Sequence, residues 1–366
     1  MRYVALGMVR DRAFELTGIT RHQFYYKPLK RKKRGKKPSK ETIRIKNEQL
    51  KSCPNAQVVG HIEHNHLDPD LTYGYRRMTA QLQIEGFQIN HKKVYRLMQG
   101  NQLLLTKERV KKNYAKYRIL TPSIPLEMLE MDIKFVWIEQ QRRHAFILTV
   151  LDVFTRTALE WHIGFSITQH TVKHIWESVI TNHLQANDML EKGISIEVRN
   201  DNDPRFSAKM VQEFFEANHL NQVFTHPYTP QENGHIESFH AILGKSLDQK
   251  HFETLDQAEI HLALFYIKYN QVRLHGSIAN LPPMTFWQQW ELGNIKRIEL
   301  PKKKIKFKLL IPYHQISGNK DLKEVSCLIS LAFDRLEKSS KENGAMSLNQ
   351  LSVKKNRQSY LADTNL

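Results

Sequence analysis

The chain has 366 residues, 40% of them hydrophobic, and carries 55 Lys and Arg against 37 Asp and Glu, a formal net charge of +18. That apolar content excludes a disordered protein, and the length allows two or three domains. The cationic surplus favours nucleic acid or an anionic membrane surface, yet no apolar run approaches the roughly 18 residues of a membrane span, and two cysteines, Cys53 and Cys327, make neither a disulfide framework nor a four-thiolate zinc site.

Residues 1–28 read as a short helical segment. Val4, Met8, Phe14 and Leu16 are interspersed with Arg and Asp, Thr17-Gly18 breaks the pattern, and residues 19–26 form a second short helix. Eight of the eleven residues from Lys30 to Lys40 are Lys or Arg. Like charges at that density repel, so residues 29–50 are expected as a basic, solvated linker compatible with phosphate contact. Residues 51–120 are expected as a helix-turn-helix domain and a basic connector. Leu71, Tyr75, Met78 and Leu82 recur at helical spacing, Gly86 ends the run, Asn90 is placed to cap a second helix and Gly100 to stop it. That helix carries Val94, Leu97 and Met98 inward and Lys92, Lys93 and Arg96 around the other side. The pattern reads equally as a DNA-reading pair or as a helical hairpin with a solvated basic face.

Pro122 and Pro125 mark a boundary. Beyond it, residues 129–139, 145–154 and 158–163 are apolar and β-rich and predict three strands joined by hairpins. A helix over 168–184, a strand over 194–198, a helix capped by Ser207 and running to Asn218, a short strand at Val223-Phe224, a helix bearing Glu237 and another over 255–269 follow. The order βββαβαβα is that of an α/β, ribonuclease H-like mixed five-stranded sheet with helices, occupying residues 121–290 behind the small all-α segments. Residues 291–366 read as a basic strand, with Ile305, Phe307 and Leu309 alternating with Lys306 and Lys308, and a polar, partly disordered tail with a short helix near 328–336.

Asp132, Asp201 and Glu237 are the candidate chemistry. Three converging carboxylates can hold two divalent cations, which can drive displacement at phosphorus. Spacing alone decides little among 37 acidic residues, and Glu130 competes with Asp132 because positions two apart on a strand share a face. On the expected helix, Ile236, Phe239, Leu243 and Leu247 form an apolar stripe with Glu237 at its rim.

The words around these acids carry more. Tyr228-Thr229-Pro230-Gln231, Gly234 and Glu237-Ser238, with Asp201-Asn202 and Phe206, resemble the retroviral integrase superfamily, and more narrowly the bacterial insertion-sequence transposases with an integrase-like core. Tyr73 to Arg77 and Lys92 to Met98 look like the helix-turn-helix before that core, Leu151 to Arg156 like its second strand and turn, and Tyr269-Asn270, Arg273, His275 and Pro283 like its closing helix and exit. The resemblance runs from about Arg12 to Trp290.

It implies a DDE polynucleotidyl transferase with Asp132, Asp201 and Glu237 as catalytic and metal-binding triad, and two Mg2+ or Mn2+ ions per site. The implied action is cleavage of insertion-sequence ends by phosphodiester hydrolysis followed by strand transfer. The implied partners are double-stranded DNA at element ends and target, further copies of the chain on DNA and an upstream-frame fusion partner, in a bacterial cytoplasm near the nucleoid. DNA contacts are expected from Lys92, Lys93, Arg96, Tyr228 and Lys245. A catalytically inactive, transposase-derived DNA-binding protein is the alternative, and a nuclease cutting RNA in hybrids a third.

Two positions depart from the resemblance. Asp203 stands where Gly is usual, which implies a left-handed backbone relieved by Asp203→Gly. Gly244 stands where a basic residue is frequent, with Lys245 one place later. His61, His64, His66 and Cys53 make a poor zinc set. Asp152 reads as a partner of Arg156 or a solvated turn residue, and His226 and His235 as loop residues near Glu237.

Overall fold

The computed structural model describes residues 2–26, 39–46, 49–105, 122–225, 233–301 and 304–316. The chain divides into two units, Met1–Lys40 and Glu41–Leu366. In the first, α1 (Arg2–Ala5), α2 (Arg10–Thr17) and α3 (Arg21–Tyr25) follow the expected helical reading. Gly18 ends α2 in the left-handed region at φ 64°, and Thr20 and Gln23 close a capping box on α3. Phe14 and Phe24 hold the two helices together, ring centroids 5.2 Å apart.

The second unit begins inside the stretch whose charge predicts a linker. Residues 41–46 are not linker but strand: β1 (Glu41–Lys46) pairs antiparallel with β2 (Gln49–Pro54) and, on its other edge, with β3 (Phe87–Gln88). Charge density is a poor guide here because the basic residues are used. The Arg44 guanidinium lies 4.6 Å from the Phe87 ring centroid and donates to the Glu85 carbonyl at 3.1 Å, while Thr42 is buried directly opposite buried Cys53. Gly86 makes the approach possible. At φ +91° its carbonyl accepts the Ile45 N–H at 2.9 Å, and a Cβ there would stand 2.2 Å from the Ile45 carbonyl oxygen. Three helices pack on this sheet: α4 (Asn55–Leu67), α5 (Tyr75–Ile84) and α6 (His91–Gly100). Asn90 caps α6 as expected, its side chain accepting the Lys93 N–H at 2.9 Å.

The core is a five-stranded sheet of β4 (Met128–Ile138), β5 (Arg143–Asp152), β6 (Ala158–Gly164), β7 (Ile196–Asn200) and β8 (Leu220–Phe224), in the order β6-β5-β4-β7-β8. The first three strands are antiparallel, and β7 and β8 join parallel. This is the ribonuclease H-like arrangement. Side chains alternate strictly across β4 and β5. Leu129, Met131, Leu148 and Val150 meet α7 (Gln169–Val179) and α8 (Lys209–Ala217), where Trp176 and Phe215 pack edge to face at 4.9 Å. Val136, Ile138, Ala145, Ile147 and Leu151 meet α9 (Gly234–Leu247) and α10 (Leu255–Gln271) through Phe239, Phe265, Tyr266 and Tyr269. Each such fully buried side chain contributes roughly 1.5–3 kcal/mol. The N-cap of α8 is Ala208, one residue past Ser207, whose hydroxyl instead donates to the Asp203 carbonyl.

Then come α11 (Pro283–Glu291) and the hairpin β9 (Ile295–Leu300) and β10 (Lys304–Leu309). The helical domain docks on the end of α10. Lys268 pairs with Asp68 at 2.7 Å, the Tyr73 hydroxyl accepts the Leu274 N–H at 3.0 Å, and Leu274 completes the apolar cluster under α4–α6. The expected helix near 328–336 lies outside the described residues.

Candidate active site

Parallel pairing sets the first relationship. Met128, Leu129 and Glu130 of β4 stand opposite Glu197, Val198 and Arg199 of β7. Continued by two residues, that register brings Asp132 beside Asp201, at the carboxyl end of β7 and on one face of the sheet. Partial burial first, and then the like charge of Asp132, hold the Asp201 carboxyl above its usual range, against an opposing pull from the Asp203 N–H and the Arg205 charge. A carboxylate held above its usual range beside a second one is a fitting pair of oxygen donors for a hard cation, whose charge would relieve the repulsion.

A second relationship places α9. Ile236 lies over Glu130, His240 over Asp132 and Gly244 over Lys134: the Ile236 N–H donates to the Glu130 carboxylate at 2.6 Å, His240 Nδ1 lies 3.3 Å from Asp132 Oδ2, and a Cβ on Gly244 would come within 3.3 Å of the Lys134 Cε and Nζ. Four residues of helix rise about 6 Å and two of strand about 6.7 Å, so the elements stay in step along three contacts. Glu237, beside this row in the first turn of α9, is exposed. Among the described residues, no three His, Cys, Asp or Glu side chains are gathered closely enough to hold a metal ion. The fold therefore brings Asp132 and Asp201 together and leaves Glu237 at the rim.

Glu130 is no rival ligand. It is fully buried, and burial pushes its carboxyl up to about 7, against the Ile236 N–H, the charges of Arg156 and Arg199, and the His235 N–H. It caps α9, whose own N-cap residue Asn233 makes no side-chain capping bond. His240 and Lys134 were missed by sequence reasoning. The signal was there, in positions 130, 132 and 134 of a strand and 236, 240 and 244 of a helix, but nothing in the sequence says that these rows meet.

Asp203 does not adopt the left-handed backbone that the usual Gly implied, since it is not among the positive-φ residues. Its carboxylate accepts the Arg205 N–H at 2.8 Å and pairs with the Arg205 guanidinium, first among the causes that hold its pKa down. Asp152 is buried rather than solvated, and its oxygens accept the N–H groups of Leu126, Phe154 and Thr155 and the Thr155 hydroxyl. His235 faces inward, and burial, then the Arg156 charge, push its pKa down to about 3. Tyr228 and His226 lie outside the described residues. His61 pairs with Glu85 at 2.9 Å, the His66 ring reaches the Tyr73 carbonyl, and Cys53 is buried.

Of the expected DNA contacts, Lys92 and Arg96 are exposed on α6 beside Tyr95. Lys93 is half-buried and donates to the Glu41 carbonyl at 2.5 Å, so the helix–sheet junction uses its charge. Lys245 is exposed in the last turn of α9, two turns from Glu237.

Known proteins fit this layout. Residues 57–112 match an HTH-like domain, residues 122–230 an integrase core domain, and residues 218–283 a second integrase core domain family. A protein of insertion element IS476 from Xanthomonas euvesicatoria is 29% identical over 58% of this chain and 60% of its own length. The putative transposase InsK for insertion element IS150 of Escherichia coli is 23% identical over 59% of this chain and 78% of that protein. The chain thus spans about three fifths of the first of these relatives. Among solved structures, the catalytic core domain of BIV integrase aligns with a TM-score of 0.34 at 18% identity, over 46% of this chain and 97% of that one. The catalytic domain of Mos1 mariner transposase aligns with a TM-score of 0.34 at 12% identity, over 45% and 79%. The family matches thus lay an HTH-like domain before an integrase core. Both relatives belong to bacterial insertion elements, the group that the chain's motifs resemble.

Proposed function

We propose that the chain is a DDE transposase that cleaves and joins the ends of its own insertion element. The observation that carries this reading is the pairing of Asp132 with Asp201 beneath a helix that carries Glu237. These three carboxylates would hold two Mg2+ or Mn2+ ions, with Glu237 joining the aspartate pair once DNA and ions are present. When bound, the ions supply activation of the attacking oxygen and stabilisation of the leaving one. The chain's own residues do the rest. His240 fixes the Asp132 carboxylate, Glu130 fixes the start of α9, and the Lys134 ammonium adds positive charge on the same face for a phosphate. Water attacks a phosphodiester at the element end and frees a 3′-hydroxyl, which then attacks a second phosphodiester, joining to its phosphorus and displacing that strand's 3′-oxygen as a hydroxyl. Lys92 and Arg96 on α6 read the element end.

Purified protein with a duplex carrying the element end and Mg2+ tests the reading. Asp132→Asn, Asp201→Asn and Glu237→Gln are each expected to abolish cleavage while duplex binding persists, because the amide keeps size and loses charge. Strand transfer retained by Glu237→Gln sinks the triad. A wild-type chain that binds but never cuts is the inactive DNA-binding alternative.

A further inference from the structure

We infer that one face of the β9–β10 hairpin is a phosphate-backbone contact for duplex DNA, separate from both α6 and the carboxylates. The hairpin has two unlike faces. On the inner one, Ile295, Phe307 and Leu309 join Phe154, Phe286 and Trp290 in an apolar cluster, with the Phe307 centroid 4.9 Å from Phe286 and 5.2 Å from Phe154. The ribbon is thus fastened to the core. On the outer one, Lys296, Lys306 and Lys308 are exposed.

Lys308 stands directly opposite Lys296 in the register. Like charges so placed destabilise a strand pair. The hairpin's acid, Glu299, lies on the other face, paired with Arg297. Among the described residues none of the three lysines forms an ion pair with an acid. A folded ribbon that holds unpaired cations together against their own repulsion fits a polyanion.

The surroundings select which polyanion. Just past β10, Tyr313 donates its hydroxyl to the Ala279 carbonyl at 2.6 Å and packs against both the hairpin's apolar cluster and the cluster under α4–α6. The lysine face therefore belongs to a ribbon that shares a packing partner with the domain proposed to read DNA. The face carries no sequence-reading set of Asn, Gln or Arg, so its contact is with phosphates. The inference rests on the transposase reading for its ligand.

The test uses the full chain and a duplex carrying the element end, with affinity followed across salt concentration. Changing Lys296, Lys306 and Lys308 together to Gln is expected to reduce the slope of log K against log salt by about 2 to 3, near 0.9 for each phosphate no longer neutralised. The triple Lys→Arg variant should restore the slope, and both should unfold at the wild-type temperature. An unchanged slope in the folded Gln variant overturns the inference. So does loss of binding to phosphatidylglycerol vesicles with DNA binding intact, which would assign the face to a lipid surface. Absence of metal-dependent cleavage by the wild-type chain, with the slope change present, would fail the transposase reading and leave this contact standing.

Discussion

The Glu130 carboxylate accepts the Ile236 N–H at 2.6 Å across 106 residues of chain. It is one of three ties between the strand bearing Asp132 and the helix bearing Glu237. Glu130→Ala leaves an orphaned helix N–H and a small void, so a loss of about 2–4 kcal/mol is expected. Amide exchange over residues 234–238 should accelerate, and cleavage should fall more than duplex binding. Glu130→Gln keeps an acceptor oxygen and should recover most of both. Wild-type exchange and midpoint in the Ala variant would show that α9 is held by its apolar stripe alone.

Asp203 sits in an unstrained turn. With no left-handed backbone to relieve, Asp203→Gly gains nothing from glycine's freedom and loses the turn bond to the Arg205 N–H. It also frees the unfolded chain by roughly 0.5–1 kcal/mol. Thermal unfolding should shift down by a few degrees. An upward shift would mean that the turn is strained after all.

Lys134 and Gly244 form a complementary pair. The Lys134 ammonium occupies the space that a side chain at 244 would take. If this cation serves DNA, Lys134→Ala should lower cleavage severalfold, and adding Gly244→Lys should restore part of it. Gly244→Lys alone should not help, because it sets a second ammonium against the first. A gain in cleavage from the single change would contradict that account.

His275 gives a pH dependence. Burial first, then the charges of Arg273, Arg77 and Arg156, push its pKa down to about 3. Its folded pKa is thus depressed, so the unfolded imidazole binds a proton from about pH 6.5 downward while the folded one refuses it until near pH 3. Stability is lost as pH falls through that window, by about 1.4 kcal/mol per unit for one such group. In His275→Phe the acid limb of stability against pH should be shallower by one proton. Equal limbs would show that the imidazole is protonated in the folded state.

What the sequence determined by itself was local or periodic. Alternation along residues 129–163 and helical stripes in residues 168–269 predict a mixed sheet with helices, and Asn90, Gly86 and Thr17-Gly18 mark caps and stops of the helices that precede it, because these signals act within a few residues. Asp132, Asp201 and Glu237 were singled out as candidates by the words around them. Tertiary structure decided what depends on distant pairing. It turned the end of a basic stretch into strand β1, because Arg44 finds Phe87 and Ile45 finds Gly86, each more than 40 residues on. It made Glu130 a helix cap, set His240 on Asp132 and Lys134 under Gly244, and took Lys93 out of the exposed basic face. The physical reason is shared. A side chain's charge and size are written at one position, but its desolvation and its partner are set by whichever element folds over it.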